Sequence, residues 1–435
     1  MKIFKHPSRE QWNEFLKRPQ HDLAEITKTV SSILENVKAR GNQALIDYTE
    51  SFDQVKLESV EVSEVELNTC EDLVSYELKE AMKVAYKNIL TFHTTHRENY
   101  HVVETVPGVR CWRRSVPIDK VGLYIPSGTA PLFSTVLMLG IPAKLMGCKE
   151  IVLCVPPQAD GSVHPAILYA AKMVGLKKIF KVGGAQAIAA MAYGTESIPK
   201  VYKIFGPGNA YVTAAKQMVF YDGVSIDMPA GPSELMIVAD ESMPVAYVAA
   251  DLLSQAEHGN DSQVILITFK EDCLKKVQKH ISEQIKELPR KDIIEKALEN
   301  SLAIIVKTQD EARDIVNEFA PEHLIVGLRN CNAFATEITN ASAIYLGNYS
   351  PEAAGNYATG PNHTLPTAGF AKMFSGLMLE SFAKRVTYQQ LTSEGLVNLG
   401  STVEILAEAE GLSAHKNAIT LRLNDIKNKE KEQSK

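Results

Sequence analysis

Apolar residues recur at every third or fourth position along much of the first hundred residues. The clearest run consists of Leu23, Ile26, Val30, Ile33, Leu34 and Val37. Side chains at this spacing share one face of a helix, so the run predicts a helix that ends at Gly41. A second helical pattern covers residues 73–96. The amino-terminal part of the chain is therefore predicted to be helical.

From about Val116 the pattern changes to short apolar runs separated by helix-like segments. The first series covers residues 120–125, 150–155, 178–182 and 201–205. The second series covers residues 235–239, 263–269, 302–307, 324–328 and 342–346. This alternation predicts an α/β fold with two doubly wound, Rossmann-like parallel-sheet domains, whose ligands should lie beyond the carboxyl ends of the strands. After Phe370 the strand signal is lost, and the tail is predicted to be helical.

Composition and charge exclude several classes of protein. The chain has 435 residues, of which 45% are hydrophobic and 23% charged, as in an ordinary globular protein. Its net charge of −6 argues against a nucleic-acid surface, and no apolar stretch is long enough to cross a membrane. Because the first residues lack an apolar signal core, we expect a cytoplasmic protein. The six cysteines form no C-x-x-C pair and are expected to be free thiols.

Gln255 and His258 lie three residues apart at the end of a predicted amphipathic helix. Both side chains would project from one face, where an amide oxygen and an imidazole nitrogen can bind a cation such as zinc. Two ligands do not make a site, and the pair alone is equally typical of a helix end. Further donors are available in three distant segments, residues 321–323, 355–357 and 412–415.

Glycine-rich turns follow two neighbouring predicted strands. Gly183-Gly-Ala-Gln186 follows one strand, and Phe205-Gly-Pro-Gly-Asn209 ends the next. Such turns let backbone N–H groups approach a phosphate, although a single turn of this kind also suits a tight connection between strand and helix. Two adjacent turns, each closed by an amide side chain, favour a nucleotide site. Tyr124, at the end of another predicted strand, could contact a cofactor or belong to the core.

Several motifs in one order make the chain similar to the histidinol dehydrogenase family over nearly its whole length, from about Val30 to Leu423. The motifs are Gly122-Leu-Tyr-Ile-Pro126, Ala130-Pro-Leu-Phe-Ser134, Gly183-Gly-Ala-Gln-Ala187, Phe205-Gly-Pro-Gly-Asn209, Asp227-Met-Pro-Ala-Gly-Pro-Ser-Glu234, Leu253-Ser-Gln-Ala-Glu-His-Gly259, Ala320-Pro-Glu-His-Leu324, Gly360-Pro-Asn-His-Thr-Leu-Pro-Thr367 and Ala414-His-Lys-Asn417. The family binds zinc and NAD and carries out the last two steps of histidine biosynthesis. The resemblance therefore implies L-histidinol as substrate.

The resemblance also implies roles for individual residues. Zinc ligands are expected at Gln255, His258, Asn356 and His415. The general bases are expected at Glu322 and His323, and the NAD contacts at Tyr124, Gln186 and Asn209. The residues expected around the substrate are Ser233, His363 and Glu410, together with the four zinc ligands and His323.

The implied chemistry is the oxidation of an alcohol to a carboxylate by two hydride transfers through an aldehyde. Zinc would orient the substrate, and His323 would take the hydroxyl proton. Glu322 would deprotonate the water that attacks the aldehyde, and a second NAD would accept the second hydride. Without the resemblance, residues 321–323 would be interpreted as a junction with a solvated charge pair.

The resemblance implies an intertwined homodimer in which the carboxyl-terminal helices reach the partner's active site, so that Glu410 and His415 act in trans. The predicted domains are a helical arm (1–20), a discontinuous α/β domain carrying the metal and base residues (21–118 and 234–370), an NAD-binding α/β domain (119–233) and a helical extension (371–435). The apolar residues of the extension, expected to need a partner surface, are Met373, Leu377, Leu379 and Phe382.

One position departs from the family pattern, because Asn356 stands where the family usually has aspartate. An amide oxygen can still bind a metal, but the site loses one negative charge. The change is either a tolerated variation or the mark of a related dehydrogenase that oxidises another amino alcohol or diol. The chain could also be a non-catalytic relative, or a zinc hydrolase without a hydride acceptor. The retained candidate bases argue against a non-catalytic relative, and the paired glycine turns argue against a hydrolase.

Overall fold

The computed structural model describes residues 1–19, 23–95, 101–126, 130–229 and 231–433. The chain divides into two compact units. The first consists of Met1–His96 and Ile118–Phe382, and the second of Arg97–Pro117 and Ala383–Lys435. Within the described ranges, no helix combines the length and apolar character needed to cross a bilayer.

The described strands, in chain order, are β1 (Lys2–Lys5), β2 (Val103–Val106), β3 (Val109–Pro117), β4 (Lys120–Tyr124), β5 (Glu150–Val155), β6 (Lys178–Lys181), β7 (Lys203–Phe205), β8 (Ser225–Ile226), β9 (Glu234–Ala239), β10 (Gln263–Thr268), β11 (Leu302–Ile305), β12 (His323–Gly327), β13 (Ala343–Leu346) and β14 (Ala383–Leu391). Every run predicted as a strand is present, with ends within two residues of the prediction. Continuous apolar runs of this kind are typical of strands that are buried on both faces.

The described helices are α1 (Trp12–Phe15), α2 (Leu23–Arg40), α3 (Asn42–Tyr48), α4 (Glu64–Thr69), α5 (Tyr76–Thr95), α6 (Phe133–Met146), α7 (Pro165–Val174), α8 (Gly184–Tyr193), α9 (Ala210–Tyr221), α10 (Val245–Ala256), α11 (Glu271–Gln284), α12 (Lys291–Glu299), α13 (Gln309–Phe319), α14 (Cys331–Ala335), α15 (Glu352–Tyr357), α16 (Ser393–Ala409) and α17 (Ser413–Gln433). The short 3-10 or π-helical segments are Arg9–Gln11, Thr49–Asp53, Cys70–Leu73, Ile285–Glu287, Phe370–Lys372 and Leu379–Phe382. The prediction that Gly41 ends α2 is confirmed, and His96, the predicted end of the second helix, lies outside the described residues.

The first unit contains two parallel sheets, which confirms the predicted fold class. A six-stranded sheet has the order β1-β11-β10-β9-β12-β13, and a five-stranded sheet has the order β6-β5-β4-β7-β8. Helices cover both faces of each sheet. On the five-stranded sheet, α5, α6 and α7 pack on one face and α2, α3, α8 and α9 on the other. On the six-stranded sheet, α10, α11 and α12 face α1, α13 and α14 across the strands.

Two parts of the amino-terminal prediction differ from the structure. Residues 2–5 form β1, which pairs in parallel with β11, whereas this arm was predicted to be helical. Only Phe4 of this strand packs against the core, so its sequence shows no alternation of apolar and polar residues. In addition, α2 and α5 pack against helices of the five-stranded sheet, although residues 21–118 were grouped with the six-stranded sheet. Helical periodicity shows which face is buried, but not which sheet covers it.

The second unit contains a three-stranded antiparallel sheet in the order β14-β3-β2, followed by α16 and α17, which pack against each other. The prediction of an all-helical tail is therefore wrong at β14. Most side chains of these strands are exposed, so no buried face imposes an apolar alternation on the sequence. In the first unit, Leu377, Leu379 and Phe382 are buried within their own chain, which corrects the expectation that they need a partner surface.

Candidate active site

The first candidate cluster lies at the amino ends of β9 and β12. Glu322 immediately precedes β12, His323 is the first residue of β12, and Glu234 is the first residue of β9. Because β9 and β12 are parallel, their first residues meet at one end of the sheet, where His323 pairs with Leu235. The prediction that ligands lie beyond the carboxyl ends of the strands is therefore wrong for the candidate bases.

Glu322 is buried, and its Oε2 accepts a hydrogen bond of 2.8 Å from the backbone N–H of Glu234. Burial raises the pKa of the Glu322 carboxyl well above its usual value. The hydrogen bond from Glu234 opposes this shift, whereas the nearby carboxyl groups of Glu234 and Glu352 add to it. A carboxylate with a raised pKa is a stronger proton acceptor, as a general base requires.

His323 is also buried, and its ring lies between a hydroxyl and two carboxyl groups. Nδ1 is 3.0 Å from the Tyr345 hydroxyl, and Nε2 is 3.6 Å from Glu322 Oε1 and 3.7 Å from Glu352 Oε1. Burial, with His258 and His363 nearby, lowers the pKa of His323 to about 3. The imidazole is therefore neutral at physiological pH and can accept a proton. The arrangement brings together the two residues predicted as bases.

The end of α10 supplies the predicted Gln-x-x-His pair. Gln255 is buried in the last turn of the helix, and His258 follows just beyond it with an exposed side chain. When the Gln255 amide is oriented to form hydrogen bonds, its nitrogen donates to Glu352 Oε1 and its oxygen accepts from the Glu234 N–H, both at 3.2 Å. Partial desolvation of the His258 ring by surrounding protein atoms lowers its pKa, and the positive charge of Arg290 lowers it further. A neutral imidazole of this kind can bind a metal.

α15 brings a second carboxyl group to the predicted ligand Asn356. Glu352, the first residue of this helix, is only 1% exposed, and its Oε1 accepts a hydrogen bond from Asn356 Nδ2. Burial raises the pKa of Glu352 to about 7, an effect that the Asn356 hydrogen bond opposes and that Asp251 reinforces. Glu352 was missed from the sequence, although its spacing of four residues from Asn356 places both side chains on one helix face.

Gly355 allows α15 to pack closely against Tyr345 of β13. A Cβ atom at Gly355 would lie 2.7 Å from the Tyr345 hydroxyl oxygen and 2.6 Å from a ring carbon of Tyr345. Any larger residue would push α15 away from β13. Tyr345 also contacts His323, so Gly355 lets α15, which begins at Glu352, lie close to the candidate base.

His363 connects the same cluster to α6. Its Nδ1 donates to the Asn356 carbonyl oxygen at 2.7 Å, so the proton of the neutral ring lies on Nδ1. Nε2 is therefore the acceptor and receives the Thr135 hydroxyl hydrogen at 3.1 Å. Burial, opposed by the bond to Asn356, lowers the pKa of His363 to about 4. His363 was predicted to lie at the substrate, whereas Thr135 was missed.

Arg18 fixes the position of Glu234 from the amino-terminal arm. Its Nε and Nη2 contact Glu234 Oε1 and Oε2 at 2.5 and 3.0 Å, and Nη2 also donates to the Phe319 carbonyl oxygen at 2.7 Å. The Arg18 guanidinium lies 3.8 Å from the centre of the Phe319 ring. This ion pair holds the backbone amide that donates to Glu322. Nothing in the local sequence indicates the pair, because its members are far apart in the chain.

The second candidate cluster lies at the carboxyl ends of the five-stranded sheet, as predicted. The Tyr124 hydroxyl accepts a hydrogen bond from the Gly184 N–H at 3.0 Å, and Gln186 is buried in the first turn of α8. Asn209 is the N-cap of α9, and its Oδ1 accepts from the N–H groups of Tyr211 and Val212, both at 3.1 Å. The predicted NAD residues thus lie at one end of this sheet. The prediction that the two glycine turns follow neighbouring strands is wrong, because β5 and β4 lie between β6 and β7.

A buried ion pair supports the turn before α9. Lys216 and Asp227 contact each other, Lys216 Nζ donates to the Gly206 carbonyl oxygen at 2.9 Å, and the Gly206 N–H donates to Asp227 Oδ2 at 2.8 Å. Gly206 has a φ of +133°, and a Cβ atom there would lie 2.1 Å from the Tyr124 carbonyl oxygen. Only glycine fits this close approach.

The remaining predicted residues are placed as follows. Ser233 is half-buried next to Glu234 at the first cluster. Glu410 and His415 belong to the second unit, and both side chains are exposed there. Within the described ranges, no three His, Cys, Asp or Glu side chains are arranged as a metal site. The oxygen and nitrogen donors that do converge come from Gln255, Asn356 and Glu352.

Comparisons with known proteins agree with this fold. The model of the family described as histidinol dehydrogenase matches residues 16–423. A histidinol dehydrogenase from Bacteroides thetaiotaomicron is 54% identical over 427 residues, which cover 98% of this chain and 100% of the relative. Another from Escherichia coli K12 is 51% identical over 421 residues and covers 96% of both chains. The crystal structure of histidinol dehydrogenase from Elizabethkingia anophelis has a TM-score of 0.96 at 48% identity, covering 98% of this chain and 99% of that one.

A doubly wound α/β chain with a buried Glu-His pair and these relatives is a dehydrogenase, which confirms the predicted class of enzyme. The chain belongs to the histidinol dehydrogenase family. The resemblance inferred from the motifs is confirmed. The roles of single residues, the metal and the subunit arrangement remain predictions.

Proposed function

We propose that this chain oxidises L-histidinol through L-histidinal to L-histidine, using two NAD and one zinc ion per subunit. The observation that carries the proposal is the pair of Glu322 and His323, both buried within 4 Å of each other and with opposite pKa shifts. Two oxidation steps need two different proton transfers, and such a pair provides two bases. Relatives more than 50% identical that are named for histidinol support this substrate over another amino alcohol or diol.

In the first step His323 would accept the hydroxyl proton of the substrate at Nε2. In the proposed tautomer the neutral ring would donate its Nδ1 proton to the Tyr345 hydroxyl, 3.0 Å away, and Nε2 would carry the free lone pair. The carboxyl groups of Glu322 and Glu352, 3.6 and 3.7 Å away, would stabilise the imidazolium that results. They are also the nearest groups that could receive the proton afterwards.

In the second step Glu322 would take a proton from the water that adds to the aldehyde. Arg18 supports this role indirectly, because it fixes Glu234, whose backbone amide holds Glu322 Oε2 in place. The other carboxylate oxygen, Oε1, remains available to the water. His323 would again accept the hydroxyl proton as the hydrated aldehyde loses its hydride.

The donor set at α10 and α15 suits zinc. Gln255, His258 and Asn356 offer oxygen and nitrogen atoms, and the carboxylate of Glu352 lies against both amides. Zinc accepts such ligands, and when bound it would hold the substrate nitrogens and polarise its alcohol. Tyr124, Gln186 and Asn209 would hold NAD, which would supply the hydride acceptor. Ser233 and His363 would contact the substrate.

We further propose a homodimer in which Glu410 and His415 complete the partner's site. Both residues are exposed in the second unit, so they are free to meet another chain. The helix before Glu410, α16, the turn after it and α17, which carries His415, also expose large apolar side chains, namely Val397, Ile405, Leu406, Leu412 and Leu421. Exposed apolar groups on neighbouring helices favour a protein interface.

The test is the appearance of NADH in the presence of L-histidinol, measured before and after removal of metal by a chelator. The proposal predicts activity that the chelator abolishes and added zinc restores. An amino alcohol without an imidazole serves as the control substrate and should give much less NADH. If that control is oxidised as well as histidinol, the substrate assignment is wrong, and activity that survives complete removal of metal would exclude the role of zinc.

A further inference from the structure

The two amide side chains proposed as metal ligands converge on one carboxylate oxygen. Asn356 Nδ2 donates to Glu352 Oε1, and the Gln255 amide lies 3.2 Å from the same oxygen. Glu352 is 1% exposed, so water does not compete for this contact. The carboxylate therefore acts on both amides at once.

This convergence determines which way each amide points. A carboxylate oxygen only accepts hydrogen bonds, so each amide must present its nitrogen to Glu352. If the Gln255 amide were reversed, its oxygen would lie 3.2 Å from Glu352 Oε1, with two acceptors in contact. With its nitrogen toward Glu352, the Gln255 amide directs its oxygen to the Glu234 N–H at 3.2 Å, and the second lone pair of that oxygen stays available for a metal ion. The Asn356 amide likewise uses its nitrogen for Glu352 and keeps its oxygen for other partners. Amide oxygens are the atoms that bind a metal ion.

The charge balance of the proposed metal site also indicates a role for the Glu352 carboxylate. Position 356 holds a neutral asparagine, and Gln255 and His258 are neutral ligands as well. A divalent cation surrounded only by neutral ligands lacks charge compensation. Glu352 is the carboxylate in direct contact with two of these ligands, and outer carboxylates of this kind orient metal ligands and increase their basicity.

We propose that Glu352 is a positioning residue for the metal. It engages the amide nitrogens of Gln255 and Asn356, which leaves lone pairs of both amide oxygens for the ion, and it supplies the negative charge that asparagine at position 356 leaves out. This inference rests on the proposed zinc binding, and it concerns a residue outside the predicted ligand set.

The test is the zinc affinity of the metal-free full-length protein, measured by competition with a chromophoric chelator. Glu352→Gln keeps the shape of the side chain but removes its charge and places an N–H group against the amides. We expect zinc affinity to fall about 10- to 100-fold. Glu257→Gln is the matched control, because it removes the same charge beside His258 from a residue that does not contact the amides. This control should retain the parental affinity.

The double variant Glu352→Gln with Asn356→Asp places a carboxylate at position 356 instead of position 352. This double variant should recover most of the lost zinc affinity. Thermal unfolding of the metal-free proteins shows whether the single variant is folded, and recovery of affinity in the double variant would exclude misfolding as the cause of the loss. Equal affinity of Glu352→Gln and parent, equal losses in Glu352→Gln and Glu257→Gln, or no recovery in the double variant would each overturn the inference. If the parent itself binds no zinc, it is the zinc part of the proposed function that fails.

Discussion

At the scale of single residues, burial gives two neighbouring bases different properties. Burial raises the pKa of the Glu322 carboxyl and lowers that of His323 to about 3, because in each case the charged form is disfavoured away from water. His323 is thus a neutral proton acceptor over the whole physiological range. Glu322 can accept a proton only after its carboxyl group has ionised, which requires a pH near or above its raised pKa. The base function of the two residues therefore depends differently on pH.

The first prediction concerns His323. His323→Ala should reduce histidinol oxidation by about two to four orders of magnitude, the usual contribution of a positioned general base. The measurement is kcat/KM for histidinol at saturating NAD. His280→Ala, on the partly exposed side of α11, is the control and should retain parental activity. A loss of less than about tenfold for His323→Ala would show that this residue is not the base.

The second prediction uses the pH dependence of catalysis to distinguish the role of Glu322 from that of His323. Since its pKa is raised, the carboxylate becomes more abundant as pH rises, and kcat/KM for histidinal oxidation should rise with pH through that pKa. Glu322→Gln should remove this limb and should slow histidinal oxidation more than histidinol oxidation. Equal losses in the two half-reactions, or a pH limb that persists in the variant, would contradict the assignment.

The residues of the site were predictable from the sequence only where a motif carried them. Gln255, His258, Glu322, His323 and His363 were found in this way and lie together. Glu352, Tyr345, Thr135 and Arg18 were missed, because they act by contacting other site residues. Such contacts join distant parts of the chain, as between Arg18 and Glu234, and no local pattern encodes them.

At the scale of elements, each sheet carries a candidate cluster at a different end. The glycine turns follow the carboxyl ends of β6 and β7, as expected for a doubly wound sheet, whereas Glu322 and His323 lie at the amino end of β12. The strands themselves were predictable because apolar residues fill them. Exposed strands such as β3 and β14 were not, since no core selects their residues.

The third prediction tests the turn after β7. Gly206→Ala would place a Cβ atom 2.1 Å from the Tyr124 carbonyl oxygen. We expect the free energy of unfolding to fall by more than about 2 kcal/mol, from strain together with overpacking, and KM for NAD to rise. Gly223→Ala is the control, because Gly223 also has a positive φ of +87° but has nothing within 4 Å of an added Cβ.

The control should lose on the order of 1–2 kcal/mol from backbone strain alone and should keep the parental KM for NAD. The measurements are urea unfolding and initial rates at varied NAD. If both variants lose equal stability and neither changes KM for NAD, then the contact with Tyr124 does not shape the cofactor site.

At the scale of the whole molecule, we propose that a second chain completes the active site. Glu410 and His415 lie in the second unit with exposed side chains, while the other proposed site residues lie in the first unit. Family membership and fold are established by the comparisons, and the homodimer and the cytoplasmic location remain predictions. Subunit arrangement could not be deduced from the sequence, because the apolar residues predicted to form an interface are mostly buried within their own chain.

The fourth prediction tests whether His415 acts in trans. His323→Ala and His415→Ala should each be inactive, and mixing them through reversible dissociation should restore activity. Random exchange makes half of the dimers mixed, each with one intact site of two, so about a quarter of parental activity should return. Mass-tagged subunits verify the exchange. Complete exchange without recovered activity would exclude shared sites.

The most direct test of the central claim is the number of NADH molecules formed per L-histidinol when histidinol is limiting. The proposed sequence of two hydride transfers at one pair of bases predicts about two NADH, with histidine as the product, as counted from the NADH absorbance and chromatography of the completed reaction. One NADH with histidinal left in solution would contradict the second oxidation. No NADH from zinc-loaded protein would contradict the account as a whole.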